Sequence, residues 1–137
     1  MLKKKALMAV MLLIALQLAS CGSRSNEQTN MIRFFSTYDE NTRQLSNPTE
    51  TIRAGKTEFV LFDYGKPFNS DSIGLSVYED LEGKRGSVYD IIETVEPEST
   101  AVVIPVEIAS AGKYELVIYF ESPEKPVVTS WLYVVDR

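Results

Sequence analysis

From Thr57 onward the chain alternates between apolar and polar residues. Thr57–Tyr64 sets Phe59, Leu61 and Asp63 on one side and Val60, Phe62 and Tyr64 on the other. Ser72–Tyr78 turns Ile73, Leu75 and Val77 one way, and Ala101–Ile108 groups Val102, Ile104, Val106 and Ile108. Tyr114–Phe120 opposes Tyr114, Leu116, Ile118 and Phe120 to Glu115, Val117 and Tyr119, and Val127–Val135 closes the chain. A period of two sends successive side chains to opposite faces, so each run predicts a half-buried strand. Ser87–Val95 is a weaker candidate, because Asp90 and Glu93 fall on opposite parities. Pro105 lacks an N–H for a ladder hydrogen bond and predicts an edge strand or a bulge.

Turn chemistry separates these runs: Gly65-Lys66-Pro67, Gly83-Lys84-Arg85-Gly86, Pro97-Glu98-Ser99, Ala111-Gly112 and Pro123-Glu124-Lys125-Pro126. Met31–Lys56 is less regular. Met31, Ile32, Phe34 and Phe35 are strand-like, and Thr51-Ile52-Arg53 is a candidate short strand. Asp39-Glu40-Asn41 and Ser46-Asn47-Pro48 read as turns, with a poorly capped helix over Glu40–Leu45 as an alternative. After Cys21 no segment keeps a 3.6-residue apolar period. The fold class is therefore all-β, an antiparallel sandwich or barrel.

Ser110-Ala111-Gly112-Lys113-Tyr114-Glu115-Leu116 resembles the start of strand F in immunoglobulin-like domains. That resemblance covers Thr57–Arg137 and implies an immunoglobulin-like β-sandwich, of about seven strands in the whole domain that follows the leader. It makes Tyr114 the corner tyrosine, hydrogen-bonded back to the backbone, and gives Leu116 the place of the second disulfide cysteine. The chain departs from antibody domains in having no cysteine pair and in carrying its lone Trp131 on the last strand. Fibronectin type III and bacterial surface modules are nearer. The fold hosts many unrelated roles, so it implies little about function.

The amino-terminal stretch has a different character. Lys3, Lys4 and Lys5 precede an apolar run from Ala6 to Leu16, and small residues follow before Cys21. This is the layout of a secretory signal. The 14 residues from Ala6 to Ala19 fall short of the ~20 that a membrane-spanning helix needs. Leu18-Ala19-Ser20-Cys21 resembles the lipobox of bacterial lipoproteins. The resemblance implies cleavage before Cys21, a diacylglycerol on its sulfur and an acylated amino terminus. The expected organisation is a signal peptide over 1–20, a lipidated cysteine and polar tether over 21–30, and one β-sandwich domain over 31–137. In enteric-type envelopes Gly22 after the cysteine would imply the outer membrane.

Composition then narrows the chemistry. The net charge of −5 becomes more negative once the leader removes three lysines and no acid. An acidic domain repels nucleic acid and anionic lipid headgroups, so no nucleic-acid partner is expected and the anchor is the membrane contact. One cysteine excludes an internal disulfide. The absence of histidine removes Ser-His-Asp and Cys-His catalysis and the usual zinc ligand sets. The 7 glycines form no phosphate-cradling loop, and the 19 acids single out no catalytic pair. Asn69-Ser70-Asp71 and Asp39-Glu40-Asn41 offer hard oxygens without the spacing of an EF-hand. No cofactor, no metal and no enzymatic activity are expected.

Aromatic residues supply the remaining candidate. With Leu116, Ile118, Leu132 and Val134 inward, Tyr78, Tyr119, Trp131 and Tyr133 share the outer face of one sheet, a candidate binding surface. The alternative places Trp131 and Val135 in the core. Two loops, Gly65–Asp71 and Glu121–Pro126, meet at one end, where immunoglobulin-like bacterial protease inhibitors carry theirs. The sequence therefore supports a lipid-anchored, non-enzymatic envelope module that binds another envelope or extracellular protein. A loop-based protease inhibitor is the alternative, and a carboxylate-based hydrolase a distant one.

Overall fold

A computed structural model describes residues 31–81 and 83–136 of the chain. The leader, Leu18, Ala19, Ser20, Cys21 and the tether to Asn30 lie outside the described residues, as does Arg137.

Nine strands form: β1 Ile32–Asp39, β2 Gln44–Thr49, β3 Ile52–Arg53, β4 Glu58–Asp63, β5 Ser72–Leu81, β6 Lys84–Thr94, β7 Ala101–Val106, β8 Gly112–Tyr119 and β9 Val128–Val135. They make two sheets, β2-β1-β4-β7 and β3-β9-β8-β5-β6. All pairings are antiparallel except β3 with β9, which run parallel through Ile52↔Val134 and Arg53↔Val135.

The expectation of about seven strands needs correcting to nine, and the reason lies in 31–56. β2 (QLSNPT) is an edge strand exposed along most of its length, so no alternation marks it. The helix considered over 40–45 does not form. Asp39↔Gln44 and Tyr38↔Leu45 pair in a hairpin instead, and Arg43 turns it with φ of 55°. Asp39 Oδ1 accepts from the Asn41 and Thr42 amides at 2.9 and 3.3 Å, so this acidic cluster spends its oxygen on the turn. Ser46-Asn47-Pro48 lies within β2 rather than in a turn. Asn47 keeps the left-handed φ of 57° that turn chemistry favours.

One core lies between the sheets. Val60, Phe62, Ile104 and Val106 from the four-stranded sheet meet Ile73, Leu75, Val77, Leu116, Ile118, Leu132 and Val134 from the other. Each fully buried aliphatic or aromatic side chain contributes about 1.5–3 kcal/mol relative to exposure. Pro105 sits in β7, an edge strand, where no second neighbour needs its missing N–H. The connection into β8 is closed by Tyr114, whose hydroxyl donates to the Ser110 carbonyl at 2.7 Å.

Glu58 begins β4 facing inward and is buried. Its Oε1 accepts from Arg53 Nε at 2.7 Å, while Oε2 meets no donor among the described residues. Together with Ala54 N–H to Val135 C=O and Gly55 N–H to Ile108 C=O, this pair ties the β3 segment across the open side of both sheets.

Candidate functional site

The outer face of the five-stranded sheet is built in rows. One row runs from Trp131 on β9 through Glu115 on β8 and Tyr78 on β5 to Ser87 on β6. The next holds Thr129, Val117, Ser76 and Asp90, and a third brings Tyr119, Gly74 and Ile92 together. Tyr133 lies opposite Lys113, beyond the first row. Strand periodicity alone produces this arrangement: Leu132 and Val134 occupy the core, so Trp131, Tyr133 and Val135 turn outward. The alternative register, with Trp131 inside, is not the one adopted.

Trp131 is 53% exposed and Tyr133 46%. Neither ring stands bare. The Lys113 ammonium lies 4.0 Å over the Trp131 ring and 5.8 Å from that of Tyr133. The Arg85 guanidinium lies 4.6 Å over Tyr78 and pairs with Glu115. At exposed sites each cation–ring contact stabilises by about 0.5–1 kcal/mol, enough to orient a side chain but not to seal the surface. Tyr78, Glu79, Arg85, Lys113, Glu115 and Trp131 surround a depression of about 200 Å³. The face is therefore aromatic, ringed by charges of both signs, and shallow.

Tyr119 departs from this picture. It lies on the outer side, as its parity requires, but is only 9% exposed. The ring lies across Gly74, where a Cβ would overlap it. Tyr119 is thus a lid over a backbone gap, and the presented aromatic group is Tyr78, Trp131 and Tyr133. The residues missed by sequence reasoning are Lys113 and Arg85. Lys113 shares parity with Val117 and Tyr119, which was a usable signal. Arg85 reaches the face from the β5–β6 hairpin, and nothing in the linear pattern marks that.

Asp90 extends the polar side of the face. Hydroxyls of Ser76 and Ser87 donate to its carboxylate, which holds its pKa below the usual carboxylate range. The two larger hollows lie elsewhere. One of about 520 Å³ is lined by Tyr38, Leu61, Val103 and Glu96 among others, and one of about 440 Å³ by Phe34, Phe35 and Pro48 among others. Neither contains an exposed large apolar side chain.

The loop candidates are fastened down. Phe68, within Gly65–Asp71, is buried, with its ring 5.9 Å from those of Phe62 and Phe120. Amides of Phe68 and Asn69 donate to the carbonyls of Ser99 and Pro97 at 2.9 Å each. The Ser70 hydroxyl donates to the Ser72 carbonyl and accepts from its amide, so that oxygen also serves a turn. In Glu121–Pro126, Ser122 accepts the Glu124 amide and pairs with its carboxylate.

Among the described residues, no three His, Cys, Asp or Glu side chains converge as a metal site would require. No helix among them is long and apolar enough to cross a membrane. No protein-family model matches the chain, and no curated protein matches it.

Proposed function

We propose that this chain is a lipid-anchored, non-enzymatic module of the bacterial cell envelope that binds a partner protein through the outer face of its five-stranded sheet. The observation that carries the reading is the exposure of Trp131 and Tyr133 on the same outward face of β9. Rigid aromatic side chains bury much area at low entropic cost, which is why they dominate binding energies where they occur. Lys113, Arg85 and Glu115 around them are suited to a polar rim. The pinned Phe68 loop favours the face over a protease-inhibiting loop.

The finer fold reading belongs to the same proposal. An immunoglobulin-like arrangement is supported by the order β1-β4-β7 against β9-β8-β5-β6, by the parallel β3–β9 contact, and by the Tyr114–Ser110 hydrogen bond. The anchor at Cys21 rests on the lipobox resemblance. Absence of histidine and the single cysteine support the non-enzymatic reading.

The test is affinity capture of the intact chain from its own envelope, compared with a Trp131→Ala, Tyr133→Ala double variant. Both side chains are exposed, so the fold survives their truncation. A partner captured by the parent and lost by the variant is the expected outcome. Identical partner sets would overturn the face reading.

A further inference from the structure

The four-stranded sheet breaks the alternation expected of a sandwich strand whose outer side meets water. β4 reads EFVLFD and β7 AVVIPV, so both are apolar on both parities. Val60, Phe62, Ile104 and Val106 fill the core, which leaves Phe59, Leu61, Val103 and Pro105 on the outer side, all of them half-buried. The β1–β2 hairpin shelters part of this face. β1 pairs with β4 only as far as Phe35↔Phe59, whereas its pairing with β2 runs on to Asp39↔Gln44. The overhanging arm bends back over the outer face. The Tyr38 ring lies 5.6 Å from that of Phe59, and Tyr38 and Arg43 line one hollow with Leu61 and Val103.

That hollow, of about 520 Å³, is an open groove between two fastened walls. On one side the arm is held by the Asp39 turn and by Asn47 Nδ2, which donates to Thr37 Oγ1 at 3.1 Å. On the other, the connection from β6 to β7 is tied to Gly65–Asp71. The Val95 amide donates to the Asp71 carbonyl, and those of Phe68 and Asn69 donate to Ser99 and Pro97, each at 2.9 Å. Leu61 and Val103 form the floor, with Arg43 on the first wall and Glu96 on the second. Both charged side chains belong to exposed residues, and among the described residues neither forms an ion pair. The groove thus sets an apolar floor between two opposite, unmatched charges.

We propose that this groove binds a small zwitterion with an apolar body, the chemistry of a short apolar peptide with free termini. The ligand carboxylate meets the Arg43 guanidinium, whose planar fork suits that group. Its ammonium meets Glu96, and its apolar body covers Leu61 and Val103. The volume falls within the range in which proteins hold small molecules, about 300–1,000 Å³. Charge complementarity selects the ligand. A fatty acid would satisfy Arg43 but would set hydrocarbon against the Glu96 carboxylate. A neutral apolar molecule would take both charges from water without giving either a partner. A broad protein surface would be held off the floor by the two walls. The groove lies on the sheet opposite Trp131 and Tyr133, so the inference rests on neither the partner-binding face nor the anchor.

The test is calorimetric titration of the full-length chain, reconstituted with phosphatidylcholine vesicles, with tri-leucine as the probe and empty vesicles as the blank. The free peptide should bind saturably. Its amino-acetylated form and its carboxyl-amidated form should each bind about fivefold more weakly, the upper end for a solvent-exposed charge pair. Arg43→Gln should erase the difference between acid and amide while keeping that between amine and acetyl. Glu96→Gln should do the reverse. Both side chains are exposed, so neither change threatens the fold. The Trp131→Ala, Tyr133→Ala variant should bind as the parent does, which separates this groove from the aromatic face. No saturable heat above the blank, capped peptides that bind as tightly as the free one, or variants that keep both differences would each overturn the assignment. Loss of binding in the aromatic variant would overturn its placement in this groove.

Discussion

Gly74 and Tyr119 illustrate how a single position can change the reading of a face. Parity groups Tyr119 with the exposed aromatics, and it does lie on that side; its burial comes from a missing side chain on the neighbouring strand. A glycine inside a strand leaves a gap that an adjacent aromatic ring can cover. Gly74→Ala should therefore destabilise the fold by about 1–3 kcal/mol through overpacking, read as a lower urea midpoint. In a Tyr119→Ala background the same substitution should be nearly neutral, because the ring that clashes is gone. Additive effects in the two backgrounds would contradict the packing argument.

At the scale of elements, the β7–β8 connection depends on one side chain. Tyr114 is buried and donates to Ser110. Burial, followed by the charge of Glu79, raises its pKa above the ordinary value of 10.0. An unfolded chain thus releases this proton first, so the contribution of Tyr114 is complete below about pH 10 and is lost as pH rises through the folded value. Tyr114→Phe should cost about 1 kcal/mol at neutral pH, the net worth of a buried hydrogen bond. The variant should also lose less stability than the parent between neutral and strongly alkaline solution, as urea titrations at the two pH values would record. Tyr89, raised by burial and then by Glu93 and Glu107, keeps part of the alkaline decline in both.

At the scale of the whole molecule, the chain has a direction. The Asp63 amide donates to the Met31 carbonyl at 2.8 Å, so the first described residue sits at the end of β4 that leads into Gly65–Asp71. Phe68 and Phe120 bring the Glu121–Pro126 loop to the same end. A nine-residue tether from Cys21 reaches about 30 Å when extended, so an anchored domain would hold this end nearest the lipid and present the sheet face laterally. Cys21→Ser should release the chain from the membrane fraction and end palmitate incorporation; unchanged fractionation would refute the anchor.

Strand type was legible in the residues themselves from Thr57 on. Where one face is buried and the other wet, alternation is enforced by the core, and Ile73, Leu75 and Val77 could be set on one face from the residues alone. β4 and β9 carry apolar residues on both parities, so the facing of Phe62 and Leu132 stayed open until the sheets were seen. Pro105 marked an edge because a missing donor is a covalent fact. The lipobox resemblance likewise belongs to the sequence alone. Tertiary structure decided what depends on residues far apart in the chain. β2 is exposed along most of its length, so nothing periodic marked it, and β3 exists only because β9 lies beside it. Tyr119 is covered because Gly74 happens to be its neighbour, and Lys113 and Arg85 join the face through cross-strand pairing and a hairpin. The edge of β9 is of the same kind. Its sequence shows an apolar strand, but only sheet order shows that β3 pairs with it at Val134 and Val135.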